Sequence, residues 1–139
     1  MADAFSSMSI SVSGMSAERQ RIEVVSSNLA NVNSTRTPEG GAYRRRQIVF
    51  ESVLQEVGGD QAGVGVRVAE IQLDPSPFQK IHSPGHRDAD AKGDVELPNV
   101  NSELEMVDLL TASRSYEANA AAFRIAREMY QRALELGKA

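Results

Sequence analysis

The sequence predicts a mainly α fold with a small β-rich insert. Its N- and C-terminal helices are expected to pair as a coiled coil, with short strands and a long ordered loop between them. Three observations predict it. Large apolar residues return every seven positions near each end, at Met8, Met15, Ile22 and Leu29 and again at Leu109, Tyr116, Phe123 and Tyr130. The stretch between them alternates apolar and polar side chains, the period of a strand. Four of the five prolines crowd into residues 74–101, where no periodic element can continue. The chain therefore divides into an N-terminal helix over 1–35, an insert and loop over 36–101, and a C-terminal helix over 102–139.

The N-terminal helix is expected from Phe5 to about Asn33. Phe5, Val12, Val25 and Val32 flank its seam at three- or four-residue offsets, and Gly14 should interrupt or weaken it. NSTRTPEGG at 33–41 is turn chemistry, with Asn28, Asn31 and Asn33 at the helix exit as capping or inter-subunit polar groups. Tyr43–Val53 alternates as a strand, and Gly58-Gly59 breaks it. Gly63–Leu73 alternates Val64, Val66 and Val68, then changes phase to Ile71 and Leu73, which a bulge near Ala69 would explain. Residues 74–101 read as irregular. In the C-terminal helix, Ser102 and Glu105 fit a capping box and Gly137 a left-handed stop. Small residues at 112, 126 and 133 and Asn119 alternate with the bulky ones along the seam. Asn119 either fixes register within that seam or, if the seam is rotated, faces solvent. Such a helix is roughly 50 Å long, more than a core this thin can cover, so the seam calls for an outside partner and the isolated termini for disorder.

Composition narrows the function. A net charge of −4 argues against nucleic acid, and Arg44-Arg45-Arg46 reads as a solvated or subunit-facing strand segment. Without cysteine there is no thiolate catalysis, disulfide or thiolate metal site. No apolar run approaches a membrane span, and the first residues lack the pattern of a Sec leader. No nucleophile–base pair or phosphate loop stands out, so neither an enzyme, a small-molecule substrate nor a cofactor is expected. The rival to a structural role is a metal- or calcium-binding module over 82–94. That loop holds His82, His86, Asp88, Asp90 and Asp94, but Pro84-Gly85 forbids a helical His pair. Lys92 stands where a calcium loop needs an oxygen ligand, and Asn99 where it needs the bidentate Glu that closes it.

The residues also carry a resemblance. SSNLANVNSTRTPEGGAYRRR, at Ser26–Arg46, resembles the signature that closes the N-terminal helix of bacterial flagellar rod and hook subunits. GVRVAEI (Gly65–Ile71), PGH (Pro84–His86), DADAKG (Asp88–Gly93), PNVN (Pro98–Asn101), EMVD (Glu105–Asp108) and ASRSYEAN (Ala112–Asn119) are similar to the proximal rod proteins of that family. Arg87 and Asp94 depart from it, standing where the family usually has Pro and an aromatic. The resemblance implies a non-enzymatic axial subunit of the flagellar basal body. Its terminal helices would form an inner coiled-coil layer, stacking with copies of itself and other rod proteins into a hollow, torque-bearing shaft across the periplasm. It also implies export through the flagellar type III apparatus, and no direct insertion into a membrane. The interface residues expected on this reading are Met8, Met15, Ile22, Leu29, Asn28, Asn31, Asn33, Leu109, Tyr116, Asn119, Phe123 and Tyr130.

Overall fold

The computed structural model describes residues 2–57 and 60–137, and side chains for 5–54 and 63–137. In order these form α1 (Ala2–Ala30), β1 (Arg46–Val57), β2 (Asp60–Leu73), β3 (Gln79–His82), β4 (Asp94–Leu97) and α2 (Ser102–Leu136). The mainly α class with a β insert holds. The predicted break at Gly58-Gly59 lies outside the described residues.

The two helices pair antiparallel along their length. Phe5 meets Tyr130 edge-to-face with ring centroids 4.9 Å apart. Nearer the other end, Arg21 bonds Asp108 at 3.0 Å and Asn28 bonds Glu105 at 2.9 Å. Midway lies Gly14, and α1 runs through it unbroken, contrary to the expected interruption. A Cβ on Gly14 would stand 2.8 Å from the Asn119 carboxamide, so glycine's cost in helix propensity is offset by a close crossing. Asn119 therefore packs on α1, its Nδ2 donating to the Ser115 carbonyl at 3.0 Å. The solvent-facing alternative is excluded.

β1 and β2 form an antiparallel hairpin longer than the short strands expected. Val49 pairs with Glu70 and Phe50 with Val68, which leaves Ala69 as the extra residue of a bulge, where the phase change put it. Because cross-strand partners share a face, Ile48, Phe50, Ser52 and Leu54 lie on one side with Ile71, Val68, Val66 and Val64. α1 packs on the hairpin as well as on α2, and the Ser13 hydroxyl takes the Val66 N–H at 3.1 Å. Among the described residues α2 packs on α1 and on no strand.

Three local expectations are corrected. The stretch 74–101 is not wholly irregular, since β3 and β4 pair antiparallel from Gln79–Leu97 to His82–Asp94. The cap of α2 is Asn101, whose side chain accepts from the Glu103 and Leu104 N–H groups at 3.0 and 3.2 Å. Asn offers a carbonyl oxygen at the right reach, which releases Glu105 to turn inward. Gly137 ends α2 in a right-handed conformation, φ −76°, with its N–H on the Ala133 carbonyl, so no left-handed stop forms.

Among the described residues the buried apolar ones are few and mostly small: Ala17, Val24, Val25, Ala42, Tyr43, Val95 and Ala112. So thin a core gives polar contacts an unusual share of the task of fixing the fold.

Candidate assembly surfaces and the polar hub that positions them

Where α1 ends, β1 starts and α2 starts, one buried amide joins all three. Asn28 is fully buried and uses all four of its hydrogen-bonding positions. Its Oδ1 accepts from the Arg46 N–H and the Tyr43 hydroxyl, each at 3.0 Å. Its Nδ2 donates to the Arg46 carbonyl at 2.8 Å and to Glu105 Oε2 at 2.9 Å. The other oxygen of the fully buried Glu105 takes the Arg45 Nε at 2.6 Å. Arg45 reaches Asp74 at 3.4 Å and Asp108 at 3.8 Å as well. Burial opposes the Arg45 charge, but Glu105 and Asp74 more than offset it and raise its pKa. The Ser76 hydroxyl and N–H, assisted by Arg45, hold Asp74 below the usual carboxylate range.

Arg44 completes the frame. Its Nη1 donates to the Asp74 and Ser76 carbonyls at 2.9 and 3.0 Å, and its guanidinium lies 4.2 Å above the Phe78 ring. Asn99 accepts the Arg45 N–H at 2.7 Å and donates to the same two carbonyls. Of the arginine run expected to be solvated or subunit-facing, Arg44 and Arg45 are an internal brace just ahead of β1 and are not freely solvated. Only Arg46 of the three has an exposed side chain. The hub draws on three separate parts of the chain, the end of α1, residues 43–46 and the start of α2, and so ties the helix pair to the hairpin.

The structure brings the two seams together inside one chain. Met8, Met15, Ile22 and Leu29 of α1 and Leu109, Phe123 and Tyr130 of α2 are half-buried, and Tyr116 is exposed. α1 thus meets much of the seam's need for a partner. Asn28 faces the hub and has nothing left to offer a neighbour. Asn31 closes the helix exit, donating to the Ser27 carbonyl at 2.9 Å and accepting from the Ser34 hydroxyl at 3.0 Å. Asn33 is exposed.

What remains open is a second stripe, on the side of α2 turned away from α1. Leu104, Val107, Thr111, Arg114, Ala118, Ala122, Ile125, Met129, Arg132 and Leu136 follow one another at three- and four-residue steps, and all are exposed. Leu104, Val107, Ile125 and Met129 are 59–66% exposed. The seven-residue signal of this stripe is in the sequence, at 104, 111, 118 and 125, but it is masked by the larger aromatic residues of the inner seam. Glu105, Tyr43 and Arg45 were missed for another reason: nothing local marks a glutamate that pairs with residues 60 and 77 positions away.

The 82–94 loop is braced by its own groups. His82 Nδ1 pairs with Asp94 Oδ1 at 2.9 Å, and His86 Nδ1 accepts the Asp88 N–H at 3.1 Å. Asp88 takes the Thr35 hydroxyl at 2.9 Å and the Arg36 guanidinium at 3.0 Å, clipping the loop to the 33–41 turn. Asp90 accepts the Lys92 and Asp94 N–H groups, as turn bonding requires. Gly93, at φ +82°, closes the turn under His82 and Pro84, where a side chain would be strained. Among the described residues no three metal-ligating side chains converge here or elsewhere.

Comparison with known proteins finds matches at both ends of the chain. Residues 8–36 match the family described as flagella basal body rod protein, and residues 91–136 the C-terminal family of flagellar basal body rod FlgEFG proteins. The chain is 42% identical to the flagellar basal-body rod protein FlgC of Borreliella burgdorferi, over 95% of this chain and 96% of the relative. It is likewise 42% identical to the FlgC of Bacillus subtilis, over 97% and 99% of the two chains. With the FlgC of Aquifex aeolicus the identity is 44%, over 99% and 100%. At that identity over nearly the whole length, the chain belongs to the flagellar basal-body rod protein family.

Proposed function

We propose that this chain is a structural, non-enzymatic subunit of the proximal rod, stacking with copies of itself and with other rod proteins into the hollow shaft that transmits torque. On this reading it reaches the periplasm through the flagellar type III apparatus, in line with the resemblance. The observation that carries the reading is the exposed stripe along the outer side of α2, recurring about every seven residues, on a chain of this family. Half-buried Met15 and Phe123 and the exposed Tyr116 contribute at the seam's open edge, where a neighbour can complete the cover.

The size of the stripe supports repeated contacts over one strong one. A strip ~52 Å long and ~10 Å wide offers ~500 Å². A stable pairwise interface needs about 800 Å² per partner. One stripe therefore holds a neighbour weakly, and stability comes from many subunits at once, through heterologous contacts that need not close. The test is an Ile125→Asp, Met129→Asp variant. It leaves the inner seam intact, so the purified chain keeps its helical content, while basal bodies lose the subunit and swimming stops. Normal swimming by that strain would overturn the reading. Phe123→Asp, by contrast, damages the intrachain helix pair as well.

A further inference from the structure

A groove of about 330 Å³ lies between α1 and the hairpin, with Asn119 of α2 at its edge. Ile10, Phe50, Val64 and Val66 form its apolar wall, and Ser13, Glu18, Ser52 and Asn119 give it four polar side chains. Glu18 Oε2 is shielded from solvent and lacks a hydrogen-bond partner among the described residues. Its nearest cation is Arg21, 3.8 Å away, whose other terminal nitrogen is bonded to Asp108 at 3.0 Å. A shielded carboxylate oxygen without a donor is costly, and an apolar wall beside it fits the stem of a long cationic side chain.

The same chain carries the complement. The outer stripe of α2 holds arginines at two of its seam positions, Arg114 and Arg132, and neither forms an ion pair among the described residues. An arginine in such a position fits where a partner brings an acid. Arg132 is the better placed, set among Ile125, Met129 and Leu136, which are 59%, 66% and 80% exposed. Opposite, the groove's rim is equally unmet, with Leu54 and Val64 62% and 55% exposed. Acid and cation lie on different surfaces, so satisfying both between copies gives a heterologous, open-ended contact.

We propose that the groove beside Glu18 receives Arg132 from a second copy of this chain, seating the outer α2 stripe of one subunit against α1 and the hairpin of the next. The guanidinium meets the Glu18 carboxylate, whose side chain is 17% exposed, while the arginine stem covers Val64 and Phe50. The inference rests on the rod-subunit reading and adds to it which two surfaces meet.

Charge exchange tests it, in a strain whose own copy of this rod protein is deleted. Glu18→Arg and Arg132→Glu are each expected to lower recovery of the chain in purified basal bodies about tenfold or more, since each leaves like charges opposed. The double variant restores recovery. So does co-expression of the two single variants, because each then offers the other a complementary pair, a result that a contact within one chain could not produce. Where Glu18→Arg alone disturbs helical content, Glu18→Gln carries the test, with a smaller loss expected. The chain has no cysteine, so Leu54→Cys with Ile125→Cys gives a clean second readout. Oxidation should yield a ladder of cross-linked copies from the double variant and none from either single one. Single charge variants recovered at the wild-type level would overturn the proposal and leave the rod reading standing, as would a dimer from Ile125→Cys alone. Absence of the wild-type chain from basal bodies would sink the rod reading, and this inference with it.

Discussion

Replacing Asn28 by Ala removes four hydrogen bonds from a site with no solvent access. Their partners do not all suffer equally. The Tyr43 hydroxyl keeps Ser27 Oγ at 3.4 Å, and Arg46 sits at an exposed position where water can reach its backbone. Glu105 Oε2 has no such recourse, being fully buried. One stranded carboxylate oxygen and one or two partly rehydrated groups, at ~1–3 kcal/mol each, give a loss of about 3–5 kcal/mol. Against a total of roughly 5–15 kcal/mol for a small domain, that is a large share. Urea unfolding of the full chain, followed by circular dichroism, measures it, with Asn33→Ala at an exposed position as the control expected within ~0.5 kcal/mol of wild type. Asn28→Asp should be as damaging, because it sets an acceptor against Glu105 Oε2 and against the Arg46 carbonyl. Adding Glu105→Gln should recover about 1–2 kcal/mol by supplying a donor. If Asn28→Ala unfolds at the same urea concentration as Asn33→Ala, the hub does not hold these elements together.

Three further outcomes follow from the same geometry. Gly14→Ala alone should be near neutral, since the ~1 kcal/mol gained in helix propensity is spent displacing Asn119, whereas Gly14→Ala with Asn119→Ala should stabilise the chain by about 1 kcal/mol in thermal unfolding. Hydrogen exchange on the monomer should show protection falling along the helix pair from the hub toward Phe5 and Tyr130, which places the disorder expected of free termini at that end; uniform exchange over both helices would refute it. The Thr35 hydroxyl, and behind it Arg36, hold Asp88 below its usual 3.8, so the clip it forms contributes stability at higher pH that is lost as pH falls through the lowered value. Thr35 resonances should therefore shift only in acid below about pH 4, and Asp88→Asn should abolish the shift.

The sequence by itself determined the elements whose cause is local. A seven-residue recurrence can be met only by a helix with one apolar side, so α1 and α2 were legible from Met8–Leu29 and Leu109–Tyr130. The phase change after Val68 placed the bulge at Ala69 because strand side chains alternate strictly. The rod and hook signature was legible too, since ordered motifs over most of the chain are specific in a way that single residues are not. Tertiary structure alone decided what each polar residue does. Glu105 suits a capping box by spacing, yet Asn101 takes the cap and Glu105 joins residues 28 and 45. Gly14 looks like a flaw in a helix until Asn119 is found against it. The inner seam, which by sequence asked for a neighbour, is largely met by α1, and the unmet surface lies on the other side of the same helix. These outcomes rest on contacts between residues far apart in the chain, where the energy of a buried amide or carboxylate depends on which groups surround it and not on its position in the sequence.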